Sequence, residues 1–284
     1  MRSLMISFRF HPLGDGTERQ ALALARALAA REIAVRVVTA RFRDLAPSET
    51  LDGVRIDRLP FAPNRRGLRK LAKYIFFGAL SKYLVQHAEE YDILHCHAAG
   101  YHIIPAVLAA HRSRRPVIVK IACAGVYGDV QALRVSGPSN ELGPPAAVAL
   151  RSARIVATSI EVVRELMAQR FEHVYYIPNG VDSRRFHPAE PWERASARLA
   201  FGLPAERLVV GFMGRLHEQK APEVLLSAWL ASAARRGGGV LCFAGEGPAD
   251  EALRGLVARA GSLATSVRFL GRVDPVRFLC ALDA

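Results

Sequence analysis

Two cations lie in the turn that follows a predicted strand in the second half of the chain. Gly214 and Arg215 directly follow the apolar run 208–213, and Lys220 precedes the helical pattern that begins at residue 221. A guanidinium offers phosphate oxygens a planar fork of donors, and an ammonium adds a point charge. Beside a helix N-terminus this pair predicts a diphosphate clamp, and an ordinary solvated cation pair is the equally weighted alternative.

Two glycine-rich turns also connect a predicted strand to a helix. One has the sequence A-G-E-G-P at residues 244–248, and the other spans residues 11–18 and includes Gly14 and Gly16. Glycine at the carboxyl end of a strand lets an anion approach backbone N–H groups. Ordinary tight turns, with a capping residue or with Pro at the first helical position, explain each motif equally well.

Two other polar motifs lie at strand ends. Asn179-Gly180, within the run I-P-N-G-V-D, is a strong turn signal and by itself indicates only a turn. His95 and His97 end a short apolar strand. We expect alternating strand positions to direct these two imidazoles to opposite faces of the sheet, so we predict no shared metal ion. His97 is a weak candidate for a catalytic residue, and a purely structural role is the favoured alternative.

The composition predicts a basic, globular protein. Of the 284 residues 51% are apolar and 23% are charged, and the formal net charge is +13. This excess attracts nucleic acid, anionic lipid or phosphorylated small molecules. No nucleic-acid-binding motif accompanies the charge, so we predict no nucleic-acid partner. The absence of a leader-like start, of a run of transmembrane length and of any C-x-x-C pair favours a cytoplasmic protein.

A cluster of five cations precedes an aromatic and apolar run near residue 75. Leu68, Leu71 and Ile75 recur at helical spacing, which predicts a basic amphipathic helix that continues to about residue 90. Such a helix can lie peripherally in the interface of an anionic membrane, or its apolar stripe can pack on the sheet while the cations stay solvated. The residues predicted to face a membrane are Arg65, Arg66, Arg69, Lys70 and Lys73.

The rest of the chain supplies the elements that position these residues. Apolar runs alternate with helical patterns, which predicts an α/β fold with doubly wound parallel sheets. A polar, turn-rich stretch at 182–204 precedes a second series, which starts near residue 205, and the segment 123–145 is predicted to be an irregular loop. The predicted strands cover residues 3–8, 34–39, 54–59, 93–96, 117–121, 155–159, 174–177, 208–213, 240–244 and 267–270. The other predicted helices cover residues 17–31, 100–112, 161–169, 221–236, 250–260 and 275–282.

Taken together, the motifs resemble those of glycosyltransferase family 4, the group 1 glycosyltransferases, along nearly the whole chain. The matching motifs are P-x-x-x-G-x-E at 12–18, D-x-x-H-x-H at 92–97, I-P-N-G-V-D-x-x-x-F at 177–186, G-R-x-x-x-x-K at 214–220, G-E-G-P at 245–248 and V-x-F-L-G at 267–271. Each motif alone is weak, whereas the set in this order and at these spacings is specific.

The resemblance implies a GT-B fold of two Rossmann-like domains with parallel sheets, the second incomplete. An acceptor domain would span residues 1–184, and a donor-nucleotide domain would span residues 185–284. The resemblance also implies a nucleotide-diphosphate sugar as co-substrate, no metal or other cofactor, and retention of the anomeric configuration. The donor-binding residues that it implies are Gly16, Asn179, Gly180, Arg215, Lys220, Gly245, Glu246 and Gly247.

Three departures from the family pattern bear on this interpretation. The usual Gly-Gly of the first loop is Asp15-Gly16, residues 120–125 lack the family's His, and no E-x7-E segment follows residue 271. We predict a retaining glycosyltransferase that acts on a glycan, lipid or small-molecule acceptor, in the cytoplasm or peripherally on the inner membrane. The alternatives are a truncated, noncatalytic sugar-nucleotide or membrane-surface binding module and, more weakly, a sugar-nucleotide epimerase.

Overall fold

The computed structural model describes residues 1–14, 16–42, 44–61, 71–135, 140–232 and 237–284. These residues form two compact units, Met1–Gly180 and Val181–Ala284. The family resemblance predicts a division after residue 184, four residues further along the chain. Asp15 and four of the residues predicted to face a membrane, Arg65, Arg66, Arg69 and Lys70, lie outside the described residues.

The first unit is built on an eight-stranded sheet. Its strands are β1 (Arg2–Ile6), β2 (Ala34–Ala40), β3 (Ser48–Leu51), β4 (Val54–Leu59), β5 (Ile93–His97), β6 (Val117–Ile121), β7 (Arg154–Ala157) and β8 (Val174–Tyr176). They follow the order β3-β4-β2-β1-β5-β6-β7-β8. The β3–β4 pair is antiparallel, and the other neighbouring pairs are parallel. The predicted parallel sheet is therefore confirmed for this unit.

Helices pack on both faces of this sheet. They are α1 (Gly16–Ala29), α2 (Ala72–Gln86), α3 (Ile103–Ser113), α4 (Asp129–Arg134), α5 (Gly143–Leu150) and α6 (Ile160–Ala168). On one face α1 buries Ala21 and Ala25 with Met5 of β1. On the other face Leu4 and Ile6 of β1 share a core with α2, α3, α5 and α6, as the period of two along a strand requires. Among the described helices none has both the length and the hydropathy that crossing a membrane needs.

The apolar stripe of α2 differs from the predicted one. Leu71 is 49% exposed and Ile75 is only partly buried. Complete burial of a large apolar side chain such as Phe76 contributes about 1.5–3 kcal/mol, so the buried residues fix the rotation of the helix on the sheet. The predicted stripe through Leu71 and Ile75 is therefore wrong by one position. The residues of α2 that are buried are Ala72, Phe76, Leu80 and Leu84.

The second unit contains a three-stranded parallel sheet in the order β11-β10-β9. Its elements are α7 (Pro191–Ala200), β9 (Val209–Met213), α8 (Pro222–Ala231), β10 (Val240–Ala244), α9 (Asp250–Arg259), β11 (Val267–Gly271) and α10 (Pro275–Cys280). The last residues of the chain form backbone hydrogen bonds with β9. The Asp283 N–H donates to the Val209 carbonyl at 2.9 Å, and the Gly211 N–H donates to the Ala284 carbonyl at 2.8 Å.

The elements β3, α4, α5 and α7 are not predicted by the sequence patterns. The β3–β4 hairpin turns at Asp52 and Gly53, whose φ values of 49° and 79° suit the tight turn that Asp-Gly favours. The helices α4 and α5 occupy parts of the segment 123–145, so its prediction as an irregular loop is wrong. In α7, Pro191 is the first helical residue, and the Glu190 N–H donates to the Glu193 carboxylate at 2.9 Å.

Candidate functional site

The two glycine-containing loops of the second unit are neighbours at one edge of its sheet. Strands β9 and β10 pair in parallel, with Met213 opposite Ala244 at their carboxyl ends. The loops that follow these two residues therefore leave the same edge. Open α/β sheets bind their ligands outside this edge, so the strand register brings two separately predicted motifs to one candidate site.

Backbone contacts hold these two loops together. The Leu216 N–H donates to the Glu246 carbonyl at 3.1 Å. A Cβ at Gly245 would lie 1.8 Å from the Gly214 carbonyl oxygen, and a Cβ at Gly247 would lie 2.2 Å from the Leu216 carbonyl oxygen. Gly245 also has a φ of +142°. The neighbouring loop therefore requires glycine at both positions, which is a packing reason that the sequence motif does not reveal.

The first of these loops presents two cations. Arg215 and Lys220 are both exposed. Lys220 ends a short 3-10 turn, and α8 begins at Pro222. His217 orders this turn, because its Nδ1 accepts a hydrogen bond from the Gln219 N–H at 3.1 Å. The loop thus places two positive charges just before a helix N-terminus, whose partial positive charge also favours an anion.

Glu246 adds a negative charge to the same edge of the sheet. Its carboxylate accepts a hydrogen bond from Arg272 Nε at 3.1 Å, and Arg272 directly follows β11. Both side chains are more than half exposed, so the pair contributes little to stability. The Arg272 guanidinium does, however, offset the negative charge of Glu246, which would otherwise repel an anion. Arg272 was not predicted, although an Arg directly after the predicted strand 267–270 and its glycine is a visible signal.

The other predicted donor-binding residues belong to the first unit. Gly16 is the first residue of α1, and a Cβ there would have no heavy atom within 4 Å. At Gly14, by contrast, φ is +140° and a Cβ would lie 2.4 Å from the Glu18 Cβ. The loop geometry therefore requires glycine at position 14, and no contact in the described residues requires it at position 16. Asn179 and Gly180 are exposed at the end of this unit.

His95 and His97 lie side by side on β5, so the predicted opposite orientation is wrong. Residues two apart in a strand share one face, and the two ring centroids are 4.3 Å apart. His97 is 1% exposed. Burial, followed by the proximity of His95 and Lys120, holds the pKa of His97 well below its ordinary value. The ring is therefore neutral at pH 7, and its assignment as a catalytic residue stays a prediction.

Family models match both units of the chain. The model described as Glycosyltransferase Family 4 matches residues 14–185. The model described as Glycosyl transferases group 1 matches residues 207–284. Together the two matched ranges include every residue that was predicted to bind the donor.

Two named relatives are similar to parts of this chain. A D-inositol 3-phosphate glycosyltransferase from Saccharomonospora viridis is 31% identical over 89% of this chain and 60% of its own length. A GDP-mannose-dependent monoacylated alpha-(1-6)-phosphatidylinositol monomannoside mannosyltransferase from Corynebacterium glutamicum is 28% identical over 47% of this chain and 38% of its own length. The chain therefore spans less than two thirds of each of these relatives.

Solved structures share the fold of this chain. HepE from Anabaena, in complex with UDP-glucose, has a TM-score of 0.72 and 20% identity over 100% of this chain and 72% of its own. Sucrose-phosphate synthase from Thermosynechococcus elongatus has a TM-score of 0.73 and 22% identity over 99% of this chain and 72% of its own. At such identities the likeness establishes the fold, which is the predicted GT-B type. Because the family models match along the chain as well, it belongs to glycosyltransferase family 4.

Proposed function

We propose that the protein is a retaining glycosyltransferase that transfers a sugar from a nucleotide-diphosphate sugar to a glycan, lipid or small-molecule acceptor. The observation that carries this proposal is the loop with Arg215 and Lys220, held against the glycine loop 245–248 at the carboxyl edge of the second sheet. The names of two relatives, an inositol phosphate glycosyltransferase and a GDP-mannose-dependent mannosyltransferase, support it. The UDP-glucose bound to HepE supports the same class of donor.

In this proposal the protein acts mainly through electrostatics. Arg215 and Lys220 bind the donor diphosphate and stabilise the negative charge that builds on it as the sugar leaves. The bond between the anomeric carbon and the diphosphate breaks while the acceptor oxygen bonds to that carbon on the same face. The acceptor hydroxyl proton passes to the departing phosphate oxygen, so the reaction needs no side-chain nucleophile.

A noncatalytic module that binds sugar nucleotides or membranes is the alternative. The names of the relatives do not favour it, because both describe transferases. The same names give no support to a sugar-nucleotide epimerase. Transfer of radiolabelled sugar from the donor that binds most tightly separates these functions, since a binding module transfers none and an epimerase changes the donor without an acceptor.

Calorimetric titration with UDP, GDP and ADP tests the donor site. We expect one diphosphate to bind, and the matching monophosphate to bind more weakly. Arg215→Ala should lower the affinity roughly tenfold to a hundredfold, because a charge-assisted hydrogen bond to phosphate is lost. Arg259→Ala removes the same charge from the exposed last turn of α9 and is the matched control. Equal affinity of Arg215→Ala and the wild type would overturn the assignment.

A further inference from the structure

Lys120 is a buried cation in the first unit. It lies on β6 directly opposite His97 of β5 and is 8% exposed. Among the described residues no hydrogen bond or ion pair reaches its ammonium group. Burial lowers the pKa of this group, as expected for a cation that is largely withdrawn from water and has no carboxylate beside it. A buried charge of this kind is costly unless a partner compensates it.

Two neighbouring imidazoles also lack hydrogen-bonding partners. Both ring nitrogens of His97 and the Nε2 of His95 are buried and have no partner among the described atoms. Burial, followed by the charge of Lys120, lowers the pKa of His95 to about 4. Both rings are therefore neutral at pH 7, and each has one N–H donor and one acceptor nitrogen.

This group of three side chains fits an anion better than a metal ion. Buried polar groups in native proteins nearly always have partners, and an ammonium beside two imidazole N–H groups is suited to anionic oxygens. A metal ion would be repelled by Lys120. Within the described ranges, moreover, no group of three or more His, Cys, Asp and Glu side chains is arranged to hold one. His97 and Lys120 also lie toward the carboxyl ends of their strands, the edge where α/β sheets bind ligands.

We propose that Lys120 and His97 bind an anionic group of the acceptor, either a phosphate or a carboxylate. The proposal rests on the glycosyltransferase function above, because it names the chemical class of that enzyme's acceptor. The donor diphosphate is a second source of anionic oxygens. The cations assigned to that diphosphate are Arg215 and Lys220, and titration in the presence of UDP distinguishes the two sources.

Lysine NMR can observe this site directly, because the chain contains five lysines. Carbon-13 labelling at lysine Cε gives one signal per residue. The signals of Lys120 and Lys82 are identified by their loss in the variants Lys120→Met and Lys82→Met. Lys82 is exposed on α2 and is the matched control. We expect inorganic phosphate or acetate to shift the Lys120 signal and to raise the pKa of its ammonium toward the ordinary value, while the Lys82 signal stays in place.

UDP distinguishes the two sources of the anionic group. The Lys120 signal should respond to phosphate equally with and without saturating UDP. A response that UDP abolishes would assign Lys120 to the donor and overturn the proposal, and a Lys120 signal that neither phosphate nor acetate moves would also overturn it. This titration uses the wild-type protein and needs no transfer activity, so its failure is distinct from failure of the nucleotide calorimetry.

Kinetics with anionic acceptors provide a second test. Lys120→Met should raise the acceptor KM roughly tenfold to a hundredfold, because a charge-assisted hydrogen bond is lost, and should leave the affinity for UDP unchanged. Lys120→Arg keeps the charge and should restore part of the loss. Lys82→Met should change neither quantity. An acceptor KM that is the same in Lys120→Met and the wild type would contradict the proposal.

Discussion

Gly245 lies where the loops that follow β9 and β10 pack closely against each other. Its φ is +142°, and a Cβ there would lie 1.8 Å from the Gly214 carbonyl oxygen. We predict that Gly245→Ala destabilises the second unit by about 2–4 kcal/mol, because backbone strain and overpacking both contribute. Both tryptophans, Trp192 and Trp229, lie in this unit, so urea unfolding followed by tryptophan fluorescence measures the change. An unchanged unfolding midpoint would contradict the prediction.

Gly16 offers the opposite case, because a Cβ at this position would have no heavy atom within 4 Å. We predict that Gly16→Ala changes the free energy of unfolding by less than about 1 kcal/mol, since Ala is the better helix former. If the donor phosphate or sugar contacts this turn, as the family resemblance implies, the added methyl group obstructs it and lowers donor affinity. Calorimetry with the nucleotide sugar measures this, and unchanged affinity would remove Gly16 from the donor site.

Individual residues show what sequence patterns can and cannot predict. The motifs identified the glycines of the loops that follow β9 and β10, but the need for Gly245 depends on which backbone lies opposite, and residue order does not contain that information. The error at His95 and His97 was avoidable, because a period of two places both on one face. Lys120 also left a signal in the sequence, as a charged residue within the apolar run V-I-V-K-I.

At the scale of elements, Arg198 connects α7 to the end of the second unit. Its guanidinium is buried, and its Nε donates to the Ala281 carbonyl at 3.0 Å. A second nitrogen donates to the Asp283 carboxylate at 2.6 Å. That carboxylate also accepts a hydrogen bond from the Val209 N–H at 2.8 Å. Arg198 and Asp283 together therefore join a helix, the last residues of the chain and the start of β9.

We predict that Arg198→Met destabilises the second unit by about 2–3 kcal/mol, because it leaves Asp283 and buried carbonyl groups without their cation. Arg194→Met is the matched control. Arg194 also binds Asp283, at 2.5 Å, but its side chain is 41% exposed, so its loss should cost less than about 1 kcal/mol. Urea unfolding monitored by tryptophan fluorescence compares the two variants, and equal destabilisation would contradict this account.

The elements that the sequence predicted share strong apolar periodicity, and those that it missed do not. The strand β10, for example, is a continuous apolar run and was found. Three of the four residues of the Ser48–Leu51 strand are polar, and only the Asp-Gly turn after it indicates a hairpin. The helix α7 carries two arginines and one partly buried face, so its burial depends on contacts with distant residues, Phe278 among them.

At the scale of the whole molecule, the strand and helix pattern restarts near residue 205, whereas the family resemblance predicted that the second unit begins at residue 185. The structure divides the chain after Gly180. The polar stretch 182–204 joins the second unit because Ala197 of α7 and Leu203 share a core with Phe278 of α10. Such a long-range contact cannot be derived from local composition.

A net charge of +13 attracts the protein to any anionic surface. A test of membrane binding therefore has to distinguish the effect of a local basic patch from the effect of net charge. Lys73 is the described member of the predicted membrane-facing set. Its ammonium pairs with the Glu141 carboxylate, which reduces the charge that it can offer a membrane. The prediction of peripheral binding therefore depends on Arg65, Arg66, Arg69 and Lys70, which lie outside the described residues.

We predict salt-sensitive association with anionic vesicles that is lost when these four residues are replaced with Gln. Each cation near an anionic surface contributes about 1 kcal/mol, so the partition coefficient should fall roughly a hundredfold or more. The control removes the same charge from exposed positions elsewhere, by replacing with Gln the residues Arg31, Arg112, Arg164 and Arg259. Co-sedimentation with neutral and anionic vesicles, at low and high salt, compares the two variants. Equal loss in both would assign the binding to net charge, and binding indifferent to anionic lipid would reject peripheral association.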